Sequence, residues 1–145
     1  MRKLFLIVAV VFMSLSVACA NSDRPINVAD MPQKAQQFIK KYFSQVGVTY
    51  ATEDRDVISK DYEVMFADGS KVDFAANGEW TSVECKGKAV PAGIVPQQIE
   101  AYVKQNYPDA HIRKIDRDRT DYEVSLSNRL ELTFNKNFKL IEIDD

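Results

Sequence analysis

The tetrapeptide Asp-Tyr-Glu-Val occurs twice in this chain, at residues 61–64 and again at 121–124. Upstream of each copy, an apolar residue and a proline (Met31-Pro32 and Val95-Pro96) open a stretch with helical spacing. Downstream of each, a phenylalanine, Phe74 or Phe134, closes a short alternating run. Doubling of this kind restricts the chain to one supersecondary unit used twice, with each unit needing a partner for its apolar face. The helix positions correspond at an offset of 64 and the tetrapeptides at 60, so the second copy is four residues shorter between helix and strand.

In the first unit Ala35, Phe38, Ile39, Tyr42 and Phe43 recur on one helix face, while Gln33, Lys34, Gln37, Lys40 and Lys41 fall on the other. Asp30 is the expected N-cap, with Pro32 inside the first of about four turns and Gly47 closing the segment. The period then changes to two. Val48, Tyr50 and Thr52 begin a strand, Tyr62, Val64 and Phe66 alternate with polar neighbours, and Asp68-Gly69 marks a hairpin. Val72 and Phe74 follow, Asn77-Gly78 turns the chain, and residues 79–85 form a last strand. The second unit repeats the plan with Ile99, Tyr102, Val103 and Tyr107 on its helix. Its strands carry Ile112 and Ile115, Tyr122, Val124 and Leu126, Leu130, Leu132 and Phe134, and finally Leu140, Ile141 and Ile143. Two separate meanders would each expose an edge strand, so the economical arrangement joins them. The expected fold is α+β: a tandem repeat of a helix plus about four antiparallel strands, forming one roughly eight-stranded antiparallel sheet with both helices on one face.

Arg2 and Lys3 precede an apolar stretch over residues 4–17, and Ala18-Cys19-Ala20 offers a small-residue cleavage site. This predicts a signal peptide over 1–20, too short in its apolar part to span a bilayer. A flexible N-terminal segment over 21–28, a first unit over 29–88 and a second over 89–145 follow, with Pro91 and Gly93 in the linker 89–94. The protein is expected to be periplasmic or secreted. The alternative is a lipid anchor on Cys19 in the envelope, because Val17-Ala18-Cys19 also suits a lipoprotein cleavage box. Loss of residues 1–20 removes two cations and no acid, taking the formal charge from −2 to −4. That balance disfavours nucleic acid or an anionic membrane as the partner. Cys85 is then the one remaining cysteine, so no intramolecular disulfide is available and a buried thiol is expected.

Catalytic patterns are missing from the sequence. His111 is the single histidine, there is no Gly-rich phosphate loop, and no His/Cys spacing suits zinc. No enzymatic activity and no cofactor is therefore expected. Glu53-Asp54-Arg55-Asp56 and Asp116-Arg117-Asp118-Arg119 occupy comparable places in the two units, with Asp121 behind the second. Alternating carboxylates can hold Ca2+, which makes Asp116, Asp118 and Asp121 candidate ligands, although interleaved arginines favour plain solvated turns. The sheet face away from the helices is the better place for function. If Tyr62, Val64 and Phe66 point to the helices, Glu63 and Met65 point away. The same parity exposes Lys71, Asp73, Glu123, Ser125, Glu131 and Thr133. Reading Ile141 and Ile143 as core turns Trp80 and Leu140 outward and buries Cys85, and an outward tryptophan would anchor a partner. A slip of one residue would instead bury Trp80.

The paired units, the proline-led helices, the Asp-Tyr-Glu-Val strands, the Asp-Gly turn and Asn77-Gly78-Glu79-Trp80 together resemble the PepSY-like, beta-lactamase-inhibitor-like family of exported proteins, common in Bacteroides-type bacteria. The resemblance runs from about Ala29 to Asp145. The second unit departs from it, with Asn128-Arg129 in place of Asp-Gly and Phe138 where the first unit has Gly78. What the resemblance implies is a helix-plus-sheet repeat whose sheet cradles a partner protein. In related inhibitor proteins the concave sheet face engages an enzyme, and PepSY domains are associated with restraining secreted peptidases. The resulting expectation is a non-enzymatic periplasmic module that binds a protein or peptide through its open sheet face. A calcium-responsive envelope protein is the alternative.

Overall fold

The computed structural model describes residues 23–145, so the expected signal peptide and Cys19 lie outside the described residues. Helices α1 (Gln33–Tyr42) and α2 (Gln97–Asn106) each begin directly after a proline, which occupies the N-cap position rather than the first turn. A residue before proline is driven out of the α region, and Met31 is accordingly extended at φ −79° and ψ 160°. Asp30 is therefore not the cap of α1. It ends a single 3-10 turn, Val28–Asp30, where the Asn27 N–H donates to its carboxylate at 3.3 Å. The helix also ends earlier than expected, at Phe43, whose N–H donates to the Ile39 carbonyl at 2.8 Å.

The described residues form nine strands: β1 (Asp23–Ile26), β2 (Val48–Arg55), β3 (Lys60–Phe66), β4 (Lys71–Phe74), β5 (Trp80–Glu84), β6 (Ile112–Arg117), β7 (Asp121–Leu126), β8 (Glu131–Asn135) and β9 (Leu140–Asp144). They form one open sheet in which spatial order is chain order, and every neighbouring pair is antiparallel. The ninth strand is β1, from a segment expected to be flexible. Its register sets Arg24 opposite Glu53. Glu53 is only 4% exposed and is surrounded by Arg24 at 3.3 Å, Lys60 at 3.1 Å and Arg55. A buried carboxylate needs such partners, and β1 delivers one of them.

The order of one helix and four strands occurs twice in the chain. The halves meet along β5 and β6, through Ser82–Asp116, Val83–Ile115 and Glu84–Lys114. The intervening linker is packed down, with Val90 and Ile94 buried and the Val90 N–H bonded to the Ile112 carbonyl at 2.8 Å. Cross-strand pairing places Tyr62, Val64, Val72, Phe74, Val83, Ile115, Val124, Leu132 and Phe134 on one face. Both helices cover that face. Phe38 of α1 sits edge-on to Phe74 at 5.6 Å, Phe43 stacks on Phe66 at 4.5 Å, and Tyr102 of α2 meets Phe134 at 5.4 Å. Burial of each such side chain contributes about 1.5–3 kcal/mol before entropy.

Two bulges correct the expected parity of β5 and β9. Asp73 pairs with Ser82 but Phe74 pairs with Trp80, leaving Thr81 as an extra residue. Likewise Thr133 pairs with Glu142 and Phe134 with Leu140, leaving Ile141. An extra residue reverses the inward–outward alternation on one side of it. Trp80, expected on the open face, is therefore in the core at 9% exposure, and Leu140 also packs against the core. Ile143, expected to face the core, does stand on that side opposite Leu132 but is 48% exposed at the sheet edge, while the bulged Ile141 is 54% exposed. Cys85 is buried, and burial pushes its thiol up from the ordinary range.

The turn residues that depart from the family pattern keep its backbone. Gly69 and Gly78 both have φ 85°, while Arg129 at φ 77° and Phe138 at φ 62° hold the same left-handed region without being glycine. The Phe138 ring stacks on Tyr122 at 5.7 Å, but no ring contact or ion pair holds Arg129 among the described residues. A left-handed non-glycine residue costs about 1–2 kcal/mol, and glycine gives back part of that as unfolded-state entropy. Arg129→Gly is thus expected to stabilise the protein by about 0.5–1 kcal/mol, a rise in Tm of roughly 2–5 °C. Phe138→Gly should gain less or lose, since it removes the stack on Tyr122. Thermal melts followed by circular dichroism test both, and a lower Tm for Arg129→Gly contradicts the strain.

Candidate functional site

The face left uncovered by the helices is set out by the strand register. One row of cross-strand neighbours runs Thr52, Glu63, Asp73, Ser82, Asp116, Glu123, Thr133 and Glu142 from β2 to β9. A second row beside it runs Tyr50, Met65, Lys71, Glu84, Lys114, Ser125, Glu131 and Asp144. On the other side of the first row, Asp23, Asp54 and Asp61 are neighbours across β1, β2 and β3. Eight of the ten residues expected on this face therefore lie in the first two rows: Glu63, Met65, Lys71, Asp73, Glu123, Ser125, Glu131 and Thr133. Ser125 is buried there, while Glu131 is exposed. Trp80 and Leu140 are on the opposite side.

Sequence parity within single strands did not align the remaining members. Thr52, Asp54, Asp61, Ser82, Asp116 and Glu142 become neighbours of those residues only once the strands are registered, and Asp23 only once β1 exists. The face is acidic along its middle. Glu63 stands directly beside Asp73, and Asp116 beside Glu123, and like charges in such positions repel. Lys71 reaches Glu63 at 3.7 Å and Lys114 reaches Asp116 at 3.1 Å, so relief comes from the second row. The Tyr50 hydroxyl donates to Glu63 at 3.2 Å.

Two open hollows lie along this middle. One, of about 380 Å³, is lined by Asp23, Asp54, Asp61, Glu63 and Asp73 among others. The other, of about 410 Å³, is lined by Asp116, Asp118, Asp121 and Glu123 among others. They share Asp73 and Thr81, so the pair forms one acid-lined trough across the seam of the two halves. Asp73 occupies its centre. Burial pushes the Asp73 carboxyl above the ordinary range, with Glu63 and Asp116 adding to the rise and Lys71 opposing it. Its Oδ1 is buried without a hydrogen-bond partner among the described residues. Burial also raises Glu123, helped by Glu131 and Asp116.

The three calcium candidates do different work. Asp118 caps the β6–β7 turn, accepting from the Thr120 N–H at 2.7 Å, the Thr120 hydroxyl at 2.9 Å and the Asp121 N–H at 2.9 Å. Those donors hold its carboxyl below the usual carboxylate range. Asp116 is paired with Lys114, and Asp121 accepts from the Thr120 hydroxyl at 3.1 Å. Among the described residues, no group of three or more His, Cys, Asp or Glu side chains is arranged to hold a metal ion. His111 is exposed, and its backbone N–H donates to the Ser127 hydroxyl at 3.0 Å.

Comparison with known proteins agrees with this architecture. The family model described as "Putative beta-lactamase-inhibitor-like, PepSY-like" matches residues 60–142. A putative calcium-regulated periplasmic protein from Bacteroides thetaiotaomicron is 52% identical, with a TM-score of 0.84 over 87% of this chain and 99% of that one. A putative periplasmic protein of the DUF2874 family from Bacteroides vulgatus is 47% identical, with a TM-score of 0.84 over 87% and 99%. A further Bacteroides vulgatus protein, described as periplasmic and of unknown function, is 36% identical, with a TM-score of 0.80 over 85% and 99%. No curated protein matches the chain. Among the described residues no helix is long and apolar enough to cross a membrane, and a periplasmic location agrees with these relatives. With more than half of its length matched by the family model and solved relatives up to 52% identical, the chain belongs to the PepSY-like, beta-lactamase-inhibitor-like family.

Proposed function

We propose that this protein is a non-enzymatic binding module whose open sheet face takes a basic, extended segment of a periplasmic or secreted protein or peptide. The observation that carries the reading is the acid-lined trough centred on Asp73. Adjacent like charges lower the stability of the free protein, and a cationic partner would relieve that repulsion on binding. Four strand spacings of about 4.8 Å separate Glu63 from Glu123, roughly 19 Å, and lysine or arginine side chains on alternate positions of an extended segment cover that span in three steps of about 6.8 Å. The exposed His111 and the buried Cys85, with its raised thiol, support a binder rather than a catalyst. Inhibition of a partner enzyme is the finer version of this reading and rests on family likeness alone.

Calcium regulation is the second reading, favoured by the description of the Bacteroides thetaiotaomicron relative. All three turn donors of Asp118 go to Oδ1, so Oδ2 is the oxygen that a calcium ion would take, with the β6–β7 hairpin kept as it is. A rise in Tm with Ca2+ that a chelator reverses supports this reading, and identical melting with and without the ion defeats it.

Two further outcomes test the main proposal. A peptide of alternating lysine and threonine should bind with an affinity that falls steeply with salt, while a peptide with glutamate replacing lysine should not bind. Combining Asp73→Asn with Glu123→Gln should weaken the lysine peptide about 10-fold or more, equal to about 1.4 kcal/mol. Isothermal titration measures this, and equal affinity in the double variant would remove the trough from the function.

The second outcome concerns stability. A carboxyl whose folded-state pKa is raised favours the folded state below the ordinary carboxylate pKa, and that advantage is lost as pH rises through the folded value. Asp73→Asn should therefore melt higher than wild type at pH 7, and the gap should close on acidification to about pH 4. A variant less stable than wild type at pH 7 would show that the Asp73 carboxylate is satisfied, not strained.

A further inference from the structure

On the helix side of the seam lies a cleft of opposite charge, about 310 Å³ in volume, bounded by Phe38, Tyr42, Lys34, Lys41, Trp80 and Arg117. Arg117 comes from the second half of the chain and Trp80 from the first, so the cleft exists only because β5 and β6 are joined. The Arg117 guanidinium carbon lies 3.9 Å from the centre of the Trp80 ring, and its Nε donates to the Trp80 carbonyl at 2.7 Å. Among the described residues no carboxylate lies within ion-pair distance of this half-buried guanidinium, and Glu79 acts on it only at longer range. Glu79 borders the cleft but is taken by Lys34 at 3.1 Å. Lys41 lies 5.2 Å from the centre of the Tyr42 ring and likewise has no carboxylate partner among the described residues. Three cations against one carboxylate make this a positive site on a protein that is acidic overall.

A partly desolvated guanidinium without an anion in contact is an unfinished interaction. Its Nε is committed to the backbone, and its position over the Trp80 ring restricts where the two terminal nitrogens can lie. That leaves them as a fork suited to one carboxylate. The rings of Phe38, Tyr42 and Trp80 give the same cleft an apolar wall. We propose that this cleft binds a carboxylate carried next to an aromatic or large apolar group, with Arg117 gripping the carboxylate and Phe38, Tyr42 and Trp80 holding the apolar part. The carboxylate can be the C-terminus of a peptide or an acidic side chain, and the chemistry of recognition is shared. The site is separate from the acidic trough, on the other side of the sheet. The second half has no counterpart, since Leu140 stands where Trp80 stands in the first.

Trp80 is the only tryptophan in the chain, so its emission reports the cleft directly. Four tryptophan-free probes are titrated into the protein: a tetrapeptide ending in phenylalanine with a free C-terminus, its C-terminal amide, a blocked peptide with glutamate beside phenylalanine, and inorganic phosphate. A carboxylate probe should change the emission saturably with a Kd of about 0.1–1 mM, with the amide about 10-fold weaker or more. Preference for the first probe identifies a C-terminus, and preference for the third identifies an acidic side chain. Arg117→Gln should weaken the better probe about 10-fold, and Lys41→Gln about threefold. No saturable change with either carboxylate probe overturns the proposal, as does equal binding of the amide. Phosphate binding as tightly as the peptides reduces the cleft to a simple anion site and overturns the apolar half. Unchanged affinity in Arg117→Gln overturns the assignment. If that variant melts early, Lys41→Gln, on the exposed face of α1, decides in its place.

Discussion

Among the described residues two helices serve nine strands, and the rest of the architecture follows from that ratio. The helices can cover one face of the sheet, and the apolar side chains of every strand must turn to that face in register. Phe66, Phe74 and Phe134 meet the rings of the two helices there, and the pairing of β5 with β6 makes the two halves share one core. The sheet is open, so its two edges need protection from other strands. On β1 that protection is Pro25, which cannot donate to a further strand, and on β9 it is Glu142, Asp144 and the adjoining Asp145.

The uncovered face inherits the same register and uses it differently. A row that is continuous across the sheet concentrates carboxylates, because residues directly opposite one another on neighbouring strands share a side. Stability alone would favour alternating charge along such a row. Instead Glu63 meets Asp73 and Asp116 meets Glu123, with lysines supplied only from the next row. Asp73 lies in that row with its carboxyl pushed up, first by burial and then by Glu63 and Asp116, and with one oxygen left unsatisfied. Local cost of this kind is common where a surface is shaped for a partner and not for the isolated fold.

The sequence made much of this legible and hid the rest for identifiable reasons. The tetrapeptide repeat placed β3 and β7, and its parity sent Tyr62 and Val64 to the core and Glu63 and Glu123 outward. Periodicity also found both helices, because Phe38, Ile39, Tyr102 and Val103 follow the helical stripe. It missed β1, a four-residue strand that offers the core only Ile26 and so carries no alternating apolar pattern. It also placed Asp30 as a helix cap, where the restriction on the residue before Pro32 moves the helix start. The error at Trp80 had a different origin. A bulge adds one residue without marking it in the composition, and Thr81 and Ile141 look like ordinary strand residues. The acidic row was only half visible, since parity within a strand says which residues point out but not which of them become neighbours.

That same bulge joins the two surfaces. By turning Trp80 inward it removes the expected aromatic anchor from the open face, where charged residues outnumber uncharged ones. It also brings the indole under Arg117 at the seam, where a ring on one half supports a cation from the other. The sheet therefore carries negative charge on its open side and a positive, aromatic-lined cleft on its covered side, and both lie across the β5–β6 junction. A change in the pairing of the two halves would alter both at once, since Ser82–Asp116 sits in the acidic row and Arg117 is the next residue along β6. The junction between the units, and not either unit by itself, is where the chain assembles its two most distinctive sets of side chains.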